Sequence, residues 1–220
     1  MITLALVDDH QLFRKSLAVL LNTFDGVSVV YDTNNGQLLL DFLENNTVDM
    51  VLLDIQMPIM TGFEICEYLK INYPDIKVLI ISQLTTKEAV HKVMELGANG
   101  FFTKNSPPEQ LEMAINSIIE KDYYFDLELS AVIREAILWE KKTAVKLSHE
   151  TAVQLSHREI EIIKLSCKGF SSKEIATTLF ISLRTVEKHR NRIIEKCGCK
   201  NFIEVILFAL KNNFIDLEAL

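Results

Sequence analysis

The chain has 220 residues, of which 49% are hydrophobic and 24% charged, and its formal net charge is −7. This composition excludes an intrinsically disordered chain, and the length suits two domains better than one. No apolar run approaches the length of a membrane span and no basic leader precedes the first strand-like segment, so we expect a cytoplasmic protein without membrane contact.

The charge is distributed unevenly along the chain. Residues 1–126 carry 8 basic and 18 acidic side chains, whereas residues 156–220 carry 11 basic and 8 acidic ones. The two ends therefore differ in sign. This asymmetry predicts an acidic first module and a second module that tolerates a polyanion.

Strand-like and helix-like segments alternate in the first 121 residues. Apolar runs predict strands at Ile2–Val7, Val27–Tyr31, Met50–Leu53, Val78–Ile81 and Gly100–Thr103. Helical patterns lie between them; Thr61 and Glu64 form a capping-box pattern, and Ser106 is expected to cap the fifth helix. Such alternation requires crossover connections, so it predicts a doubly wound five-stranded parallel sheet with helices on both faces.

Polar side chains follow four of these strands. Asp8 and Asp9 end the first, Asp54 the third and Ser82 the fourth, while Lys104 follows the fifth. The carboxyl ends of parallel strands share one edge of the sheet, where ligands bind. We therefore expect these residues to converge on one site.

The predicted cluster has the parts that phosphoryl transfer to a carboxylate requires. Three neighbouring carboxylates repel one another and favour a hard cation bound by oxygen, which indicates Mg²⁺. Lys104 adds a second positive charge and Ser82 a hydroxyl. Asp54 would then be the nucleophile in a pocket for a tetrahedral dianion.

Residues 1–121 resemble the flavodoxin-like receiver domain of two-component response regulators. The resemblance rests on Asp8-Asp9, Asp54, Met57-Pro58, Gly62, Ser82, Gly97-Ala98, Phe101 and Lys104. It implies that Asp54 accepts a phosphoryl group from a sensor histidine kinase. It also implies that Asp9, Asp54 and the backbone carbonyl of Gln56 bind Mg²⁺ directly and that Asp8 acts mainly through water. Ser82 and Phe101 would be the pair that rearranges on phosphorylation.

Two residues depart from the family pattern. Gln83 stands where the family prefers a small residue, and this position affects access to the phosphoryl group. Phe101 replaces the more frequent tyrosine, so an inward rotation of its ring would bury no hydroxyl group.

Residues 122–154 are expected to form a partly helical linker between a domain at 1–121 and a domain at 155–220. Apolar positions predict a helix from Ser130 to about Lys142. Two interpretations stay open, a linker helix packed on the first domain or a contact that transmits the switch or pairs two chains.

Capping patterns divide the remaining chain into short helices. Ser156 with Glu159, Ser171 with Glu174, and Ser182 each precede a helical pattern, and Gly169 and Gly198 are expected to end the first and third helices. Two short helices joined by a tight turn, the second of them basic, are typical of a helix-turn-helix. We therefore predict an all-α DNA-binding domain.

The third helix of this domain has two distinct faces. Val186, His189 and Ile193 are expected to face the core. The opposite face carries Arg184, Glu187, Lys188 and Asn191, with Thr185, Arg190, Arg192 and Lys196 on its flanks. Such a face can contact bases, while flanking arginines can hold phosphates.

Residues 155 to about 210 resemble the LuxR-type helix-turn-helix that follows receivers in NarL-like response regulators. The resemblance rests on Leu155-Ser156, Arg158-Glu159, Gly169, Lys173-Glu174-Ile175-Ala176, Ile181-Ser182, Thr185-Val186, His189 and Ile193. It implies that Glu187, Lys188 and Asn191 approach bases in double-stranded DNA. It also implies a homodimer formed through the last helix, Phe202 to about Lys211, which is apolar nearly all round. An alternative that does not exclude this dimer is a helix covered by another part of its own chain, including the receiver.

Together these features predict a DNA-binding transcription regulator of the NarL/FixJ type, gated by phosphorylation of Asp54. Its only expected chemistry is self-phosphorylation and slow autodephosphorylation at Asp54. One alternative is a receiver that acts as a phosphate-independent dimerisation scaffold for the same DNA-binding domain. Another is a hydrolytic enzyme with Asp54 as a turnover nucleophile; such an enzyme would need a second acid at the position of Gln56.

Overall fold

The computed structural model describes residues 1–83, 86–124, 153–168, 170–212 and 214–215. The chain forms two compact units, residues 1–129 and residues 130–220. The helix expected from Ser130 to about Lys142 and the helix end expected at Gly169 lie outside the described residues. Within the described ranges, no helix is long and apolar enough to cross a membrane.

Unit one contains a five-stranded parallel sheet flanked by helices. Its strands are β1 (Ile2–Val7), β2 (Val27–Thr33), β3 (Met50–Leu53), β4 (Lys77–Ser82) and β5 (Gly100–Thr103), in the order β2-β1-β3-β4-β5. Its helices are α1 (Gln11–Leu21), α2 (Gly36–Leu43), α3 (Gly62–Asn72), α4 (Lys87–Glu95) and α5 (Pro108–Lys121). All four neighbouring strand pairs are parallel. The predicted doubly wound fold is confirmed.

The central strand β3 is an example of a strand that is apolar on both sides of the sheet. Its four residues are completely buried, because helices cover both faces of a parallel sheet. One core cluster joins Leu4, Met50 and Leu79 of the strands to Ile115 and Ile118 of α5. Burial on two faces produces a continuous apolar run rather than an alternating one.

Helix starts in this unit follow the capping patterns with one exception. Thr61 and Glu64 form the predicted capping box at α3. Ser106 does not cap α5. Pro107 is the N-cap residue instead, without a side-chain cap bond. The helix begins at Pro108, where proline is favoured because its fixed φ suits the first helical position and its missing N–H would have no partner within the helix.

A polar network lies at the amino edge of the sheet. The Lys70 ammonium donates to the Ile76 carbonyl at 2.9 Å and to the Asn99 side-chain oxygen at 2.6 Å. The amide nitrogen of Asn99 donates to the backbone oxygen of Asp122 at 2.9 Å. This network joins α3, β4 and the end of α5.

The chain after α5 remains attached to the sheet. Tyr124 forms an isolated parallel bridge with Gly100, and its N–H donates to the Asn99 carbonyl at 2.9 Å. The first residues beyond α5 therefore extend the edge of the sheet beside β5.

Unit two contains four described helices, α6 (His157–Cys167), α7 (Ser172–Thr178), α8 (Leu183–Cys197) and α9 (Phe202–Lys211). Ser156 and Ser171 form the predicted capping boxes, and Ser182 accepts from the Thr185 N–H. The core contains Ile162, Ile163, Ile175, Val186, Ile193, Phe202 and Val205. The all-helical second domain is confirmed.

The Lys70 network generates a pH prediction. Burial lowers the pKa of Lys70 from 10.5 to about 8 in the folded chain. Between these values the unfolded chain binds more protons, so the free energy of unfolding should rise with pH through this window. Urea unfolding at several pH values should show this rise in wild type and its loss in Lys70→Met. Lys92→Met, which removes an exposed lysine, should keep it; a rise that survives Lys70→Met contradicts the assignment.

Candidate metal centre and candidate nucleic-acid interface

The carboxyl edge of the sheet brings Asp8, Asp54 and Lys104 together. Each of them lies one residue beyond its strand, so the strand ends set their positions. The Lys104 ammonium lies 2.6 Å from Oδ2 of Asp8 and 2.6 Å from Oδ2 of Asp54. Its side chain is only 6% exposed. One shielded cation therefore compensates two buried carboxylates, as the sequence predicted that these residues would meet.

Two residues of α1 support this cluster and were missed by sequence reasoning. The Lys104 ammonium lies 4.7 Å from the ring centroid of Phe13, a distance that allows cation–π attraction. The buried Arg14 guanidinium donates to the backbone oxygen of Asp8 and, at 3.1 Å, to Asp32. An arginine in a helical pattern normally faces solvent, so the pattern gave no sign of this role.

Asp32 completes the support from β2. The hydrogen bond from Lys15 holds the pKa of Asp32 below its usual value, against the opposing effect of burial, and Arg14 acts in the same direction. The Lys15 ammonium lies 2.8 Å from Oδ1 of Asp32. An ionised Asp32 thus orients Arg14 toward the backbone of Asp8.

The arrangement of acids fits a divalent cation. Ligand atoms of Asp8, Asp9, His10 and Asp54 lie within 4.8 Å of one another. Oδ1 of Asp9 is buried and accepts no hydrogen bond, although the exposed His10 ring nitrogen lies 3.0 Å away. A buried carboxylate oxygen without a donor is suited to a metal ion. Since the buried donors are carboxylates, the set favours a hard ion such as Mg²⁺.

The loop after β3 is folded tightly against Asp54. The Gln56 N–H donates to Oδ1 of Asp54 at 3.3 Å, and the Gly62 N–H donates to the Ile55 carbonyl at 3.0 Å. A Cβ atom on Gly62 would lie 2.1 Å from the Asp54 carbonyl oxygen. Glycine at this position is therefore a steric requirement for the close approach of α3 to the site.

Ser82 and Phe101 lie on neighbouring strands beside the cluster. Both side chains are buried, and the Lys104 N–H donates to the Ser82 carbonyl at 2.9 Å. Phe101 pairs with Ile80 in the β4–β5 register. Gln83, next to Ser82, is exposed.

The outer face of α8 is polar and open to solvent in unit two. Its exposed side chains include Arg184, Glu187, Lys188, Asn191 and Arg192, while Thr185 is half-buried. The Thr185 hydroxyl lies 2.7 Å from that of Ser182 at the helix start. The structure thus places five of the predicted DNA-contacting residues on one accessible surface.

Arg190 does not lie on the flank where we expected it. Its side chain is 7% exposed and donates to the Ser172 hydroxyl at 2.8 Å. The guanidinium carbon lies 4.2 Å from the ring centroid of Phe202. Arg190 follows Val186 by four residues, so it shares the buried stripe of the helix, and His189 is only half-buried. The assignment of Arg190 to the DNA surface is therefore corrected.

Lys196 is also engaged within its own unit. Its ammonium lies 2.8 Å from Oε2 of the buried Glu159. Burial acts to raise the pKa of Glu159, but the hydrogen bonds from Lys196 and from Ser156 outweigh it, so the pKa is lowered overall. We expected Lys196 on the flank of the DNA-contacting face. The structure shows that it also joins the end of α8 to the start of α6.

The position of Arg190 generates a stability prediction. Arg190→Ala should lower the free energy of unfolding of unit two by about 2–3 kcal/mol, because it leaves Ser172 without this donor and Phe202 without its cation. Thermal unfolding followed by circular dichroism would measure the loss. Arg184→Ala, at an exposed position of the same helix, should stay within about 0.5 kcal/mol of wild type. Equal stability of the two variants would contradict the buried assignment.

Comparison with known families gives two matches that together cover most of the chain. The family model of the response regulator receiver domain matches residues 4–116. The model of the bacterial regulatory proteins of the luxR family matches residues 153–209. The two matches fall on the units that contain the acidic cluster and the exposed helix α8.

Individual proteins are similar to most of this chain. The oxygen regulatory protein NreC of Staphylococcus epidermidis is 30% identical over 215 residues, which are 97% of this chain and 99% of the relative. A LuxR-family two-component response regulator from Aurantimonas is similar with a TM-score of 0.58 and 25% identity, over 62% of this chain and 97% of that one. RcsB of Salmonella enterica serovar Typhimurium, solved on promoter DNA with the phosphate mimic BeF3-, has a TM-score of 0.58 and 20% identity, over 96% and 98%.

Proposed function

Because the chain belongs to the response regulators that join a receiver domain to a LuxR-type DNA-binding domain, it is a transcription regulator gated by phosphorylation, and we propose that Asp54 is its phosphoacceptor. The observation that carries this proposal is the Lys104 ammonium between the buried carboxylates of Asp8 and Asp54. The proposed phosphodonor is the phosphohistidine of a sensor kinase.

The proposed reaction uses the side chain of Asp54 as a nucleophile. One carboxylate oxygen of Asp54 forms a bond to phosphorus while the bond from phosphorus to the donor histidine nitrogen breaks. Lys104, already in contact with Oδ2 of Asp54, compensates the charge that arrives. Catalysis thus depends on positioning and charge neutralisation rather than on covalent chemistry by other side chains.

Asp9, Asp54 and the backbone carbonyl of Gln56 are the proposed direct ligands of Mg²⁺, with Asp8 acting through water. The buried Oδ1 of Asp9 supports this assignment because it accepts no hydrogen bond. When bound, Mg²⁺ supplies further neutralisation of the phosphoryl oxygens. Chelation should therefore abolish phosphorylation without unfolding the unit.

Ser82 and Phe101 are the proposed switch pair. Their burial on adjacent strands next to Lys104 means that a phosphoryl group on Asp54 would change the electrostatic environment of the Ser82 hydroxyl. The receiver then shifts between two populations, to the extent that phosphate interacts differently with each. Because Phe101 has no hydroxyl, its buried state needs no hydrogen-bond partner for the ring.

Chemistry at Asp54 is proposed to end with self-phosphorylation and slow autodephosphorylation. A turnover enzyme would need a second acid near the nucleophile, and Gln56 occupies the position two residues after Asp54. The exposed Gln83 follows Ser82 at the edge of the site, where the family prefers a small residue.

The proposed output is binding of a homodimer to double-stranded DNA in the cytoplasm. The exposed face of α8 supports base contacts by Glu187, Lys188 and Asn191 and phosphate contacts by Arg184 and Arg192. The apolar surplus of α9 is smaller than the sequence suggested, because among its apolar residues only Leu207 and Phe208 are half-buried and the others are buried. A dimer through α9 would have to use these two side chains.

The phosphoacceptor assignment predicts a specific loss of labelling. Incubation with acetyl phosphate and Mg²⁺ should add one phosphoryl group to wild type, measured by intact-protein mass spectrometry. Asp54→Asn should not be labelled, because an amide is not a nucleophile for this reaction. Asp41→Asn, which changes an exposed acid of α2, should be labelled as wild type is.

Labelling of Asp54→Asn at the wild-type level would sink the assignment. If wild type is labelled but its affinity for DNA does not change, the receiver is a phosphate-independent scaffold instead. Sustained release of inorganic phosphate from acetyl phosphate would favour the enzyme alternative.

The DNA interface predicts different effects for two exposed residues of α8. Lys188→Ala should change the base preference, because its side chain lies on the central outward face. Arg192→Ala should weaken binding to all sequences and lower the salt slope by about one, as expected for loss of one phosphate contact. Selection from a random duplex library, followed by titrations at several salt concentrations, would measure both. Wild-type behaviour of both variants would show that the face is assigned wrongly.

A further inference from the structure

The turn between α7 and α8 contains an aromatic residue in a backbone conformation that favours glycine. Phe180 has a φ of +54°, in the left-handed region. Its N–H donates to the Thr177 carbonyl at 3.3 Å, and the next N–H, that of Ile181, donates to the Ala176 carbonyl at 3.0 Å. This pair of bonds is the Schellman motif, in which the residue after the helix takes the left-handed conformation.

The same motif ends two other helices of the chain with glycine. At α4, Gly97 has a φ of +87° and the Ala98 N–H donates to Val93. At α8, Gly198 has a φ of +65° and the Cys199 N–H donates to Ile194. Glycine takes the left-handed position at these two helix ends, whereas Asp122, with a φ of +78°, takes it at the end of α5. At Phe180 the chain carries a large side chain in spite of the backbone strain.

The ring of Phe180 also gains nothing from burial. Its side chain is 95% exposed, so it contributes no packing that would offset the strained backbone. Strain and exposure are independent observations, and both work against stability. These two properties, which Ile59 shares with a φ of +72° and 95% exposure, leave the Phe180 ring available for a contact outside its own folded unit.

The surroundings of Phe180 identify the kind of partner. Exposed hydroxyl residues lie close to Phe180 in the chain, at positions 177, 178 and 182. The two helices that the turn joins carry the exposed cations Lys173, Arg184 and Lys188 and the exposed acid Glu187. Of the neighbouring acids, Glu174 has its carboxylate bound to Ser171. The exposed apolar neighbour is Leu183, at 44%. On α7 and α8 the exposed cations outnumber the exposed acids, and an exposed ring on such a surface fits a polyanion better than an apolar protein face.

We propose that the Phe180 ring packs against a deoxyribose or base edge of duplex DNA, beside the groove that α8 enters. Phe180 lies two residues before Ser182, which caps α8, so the ring is held at the end of the helix that carries the reading face. Aromatic and apolar side chains make such contacts with sugars and thymine methyl groups without neutralising phosphate. This inference rests on the DNA-binding function of the second unit.

The test separates a non-ionic contact from an ionic one. The probe is a labelled duplex selected by the phosphorylated wild-type chain from a randomised library, titrated at several salt concentrations. Phe180→Gly should reduce affinity about tenfold, with a salt slope equal to that of wild type, because no phosphate contact is lost. Phe180→Trp, which keeps an aromatic ring, should retain affinity. The thermal midpoint of Phe180→Gly should equal or exceed that of wild type, because glycine relieves the strain.

Phe180→Asn provides a second variant that accepts the left-handed conformation, and it should behave as Phe180→Gly does. Wild-type affinity of both variants would overturn the proposal. Wild-type affinity with lost transcription from a reporter would overturn it in favour of a protein partner. A salt slope lowered by about one would also overturn it, since α8 would then have moved away from a phosphate. If wild type itself binds no duplex, the proposed function fails first, which is a distinct result.

Discussion

The first unit depends on one buried cation, the ammonium of Lys104, held between two carboxylates. A lysine that is 6% exposed is tolerable only because Asp8 and Asp54 both contact it. The same arrangement leaves a deficit of positive charge, since Asp9 adds a third carboxylate to a site with one ammonium. Because the site has more carboxylates than ammonium groups, the proposed Mg²⁺ would improve its charge balance.

In the second unit, buried charges have a different role. Arg190 and Glu159 are buried, and each joins separate helices. Arg190 contacts Ser172 and Phe202, and Glu159 contacts Lys196. These contacts connect α8 to α7, to α9 and to α6. The exposed cations of α8 are then free to interact with DNA, because the charges that hold the helix are separate from those on its outer face.

Sequence patterns predicted the parts whose cause is local or periodic. The alternation of strand-like and helix-like segments predicted the parallel sheet, and the topology of this sheet brings Asp8, Asp54 and Lys104 together. Serine and threonine caps marked the helix starts. Patterns failed where a charged side chain is buried. Arg14 and Arg190 lie in helices and would face water by default, but their long side chains reach a carbonyl, a carboxylate or a ring that only tertiary packing places nearby. The cap expected at Ser106 was wrong because α5 begins one residue later, at Pro108, with Pro107 as its N-cap residue.

The bridge between Gly100 and Tyr124 links β5 to the chain that follows α5. Phe101 follows Gly100 directly on β5, and Tyr124 is the last described residue before residue 153. A Cβ atom on Gly100 would lie 3.1 Å from the Tyr124 carbonyl oxygen, so the two segments are closely packed. The chain after α5 is therefore bonded next to β5, the strand that carries Phe101, the proposed switch residue. A displacement of β5 would therefore also displace Tyr124.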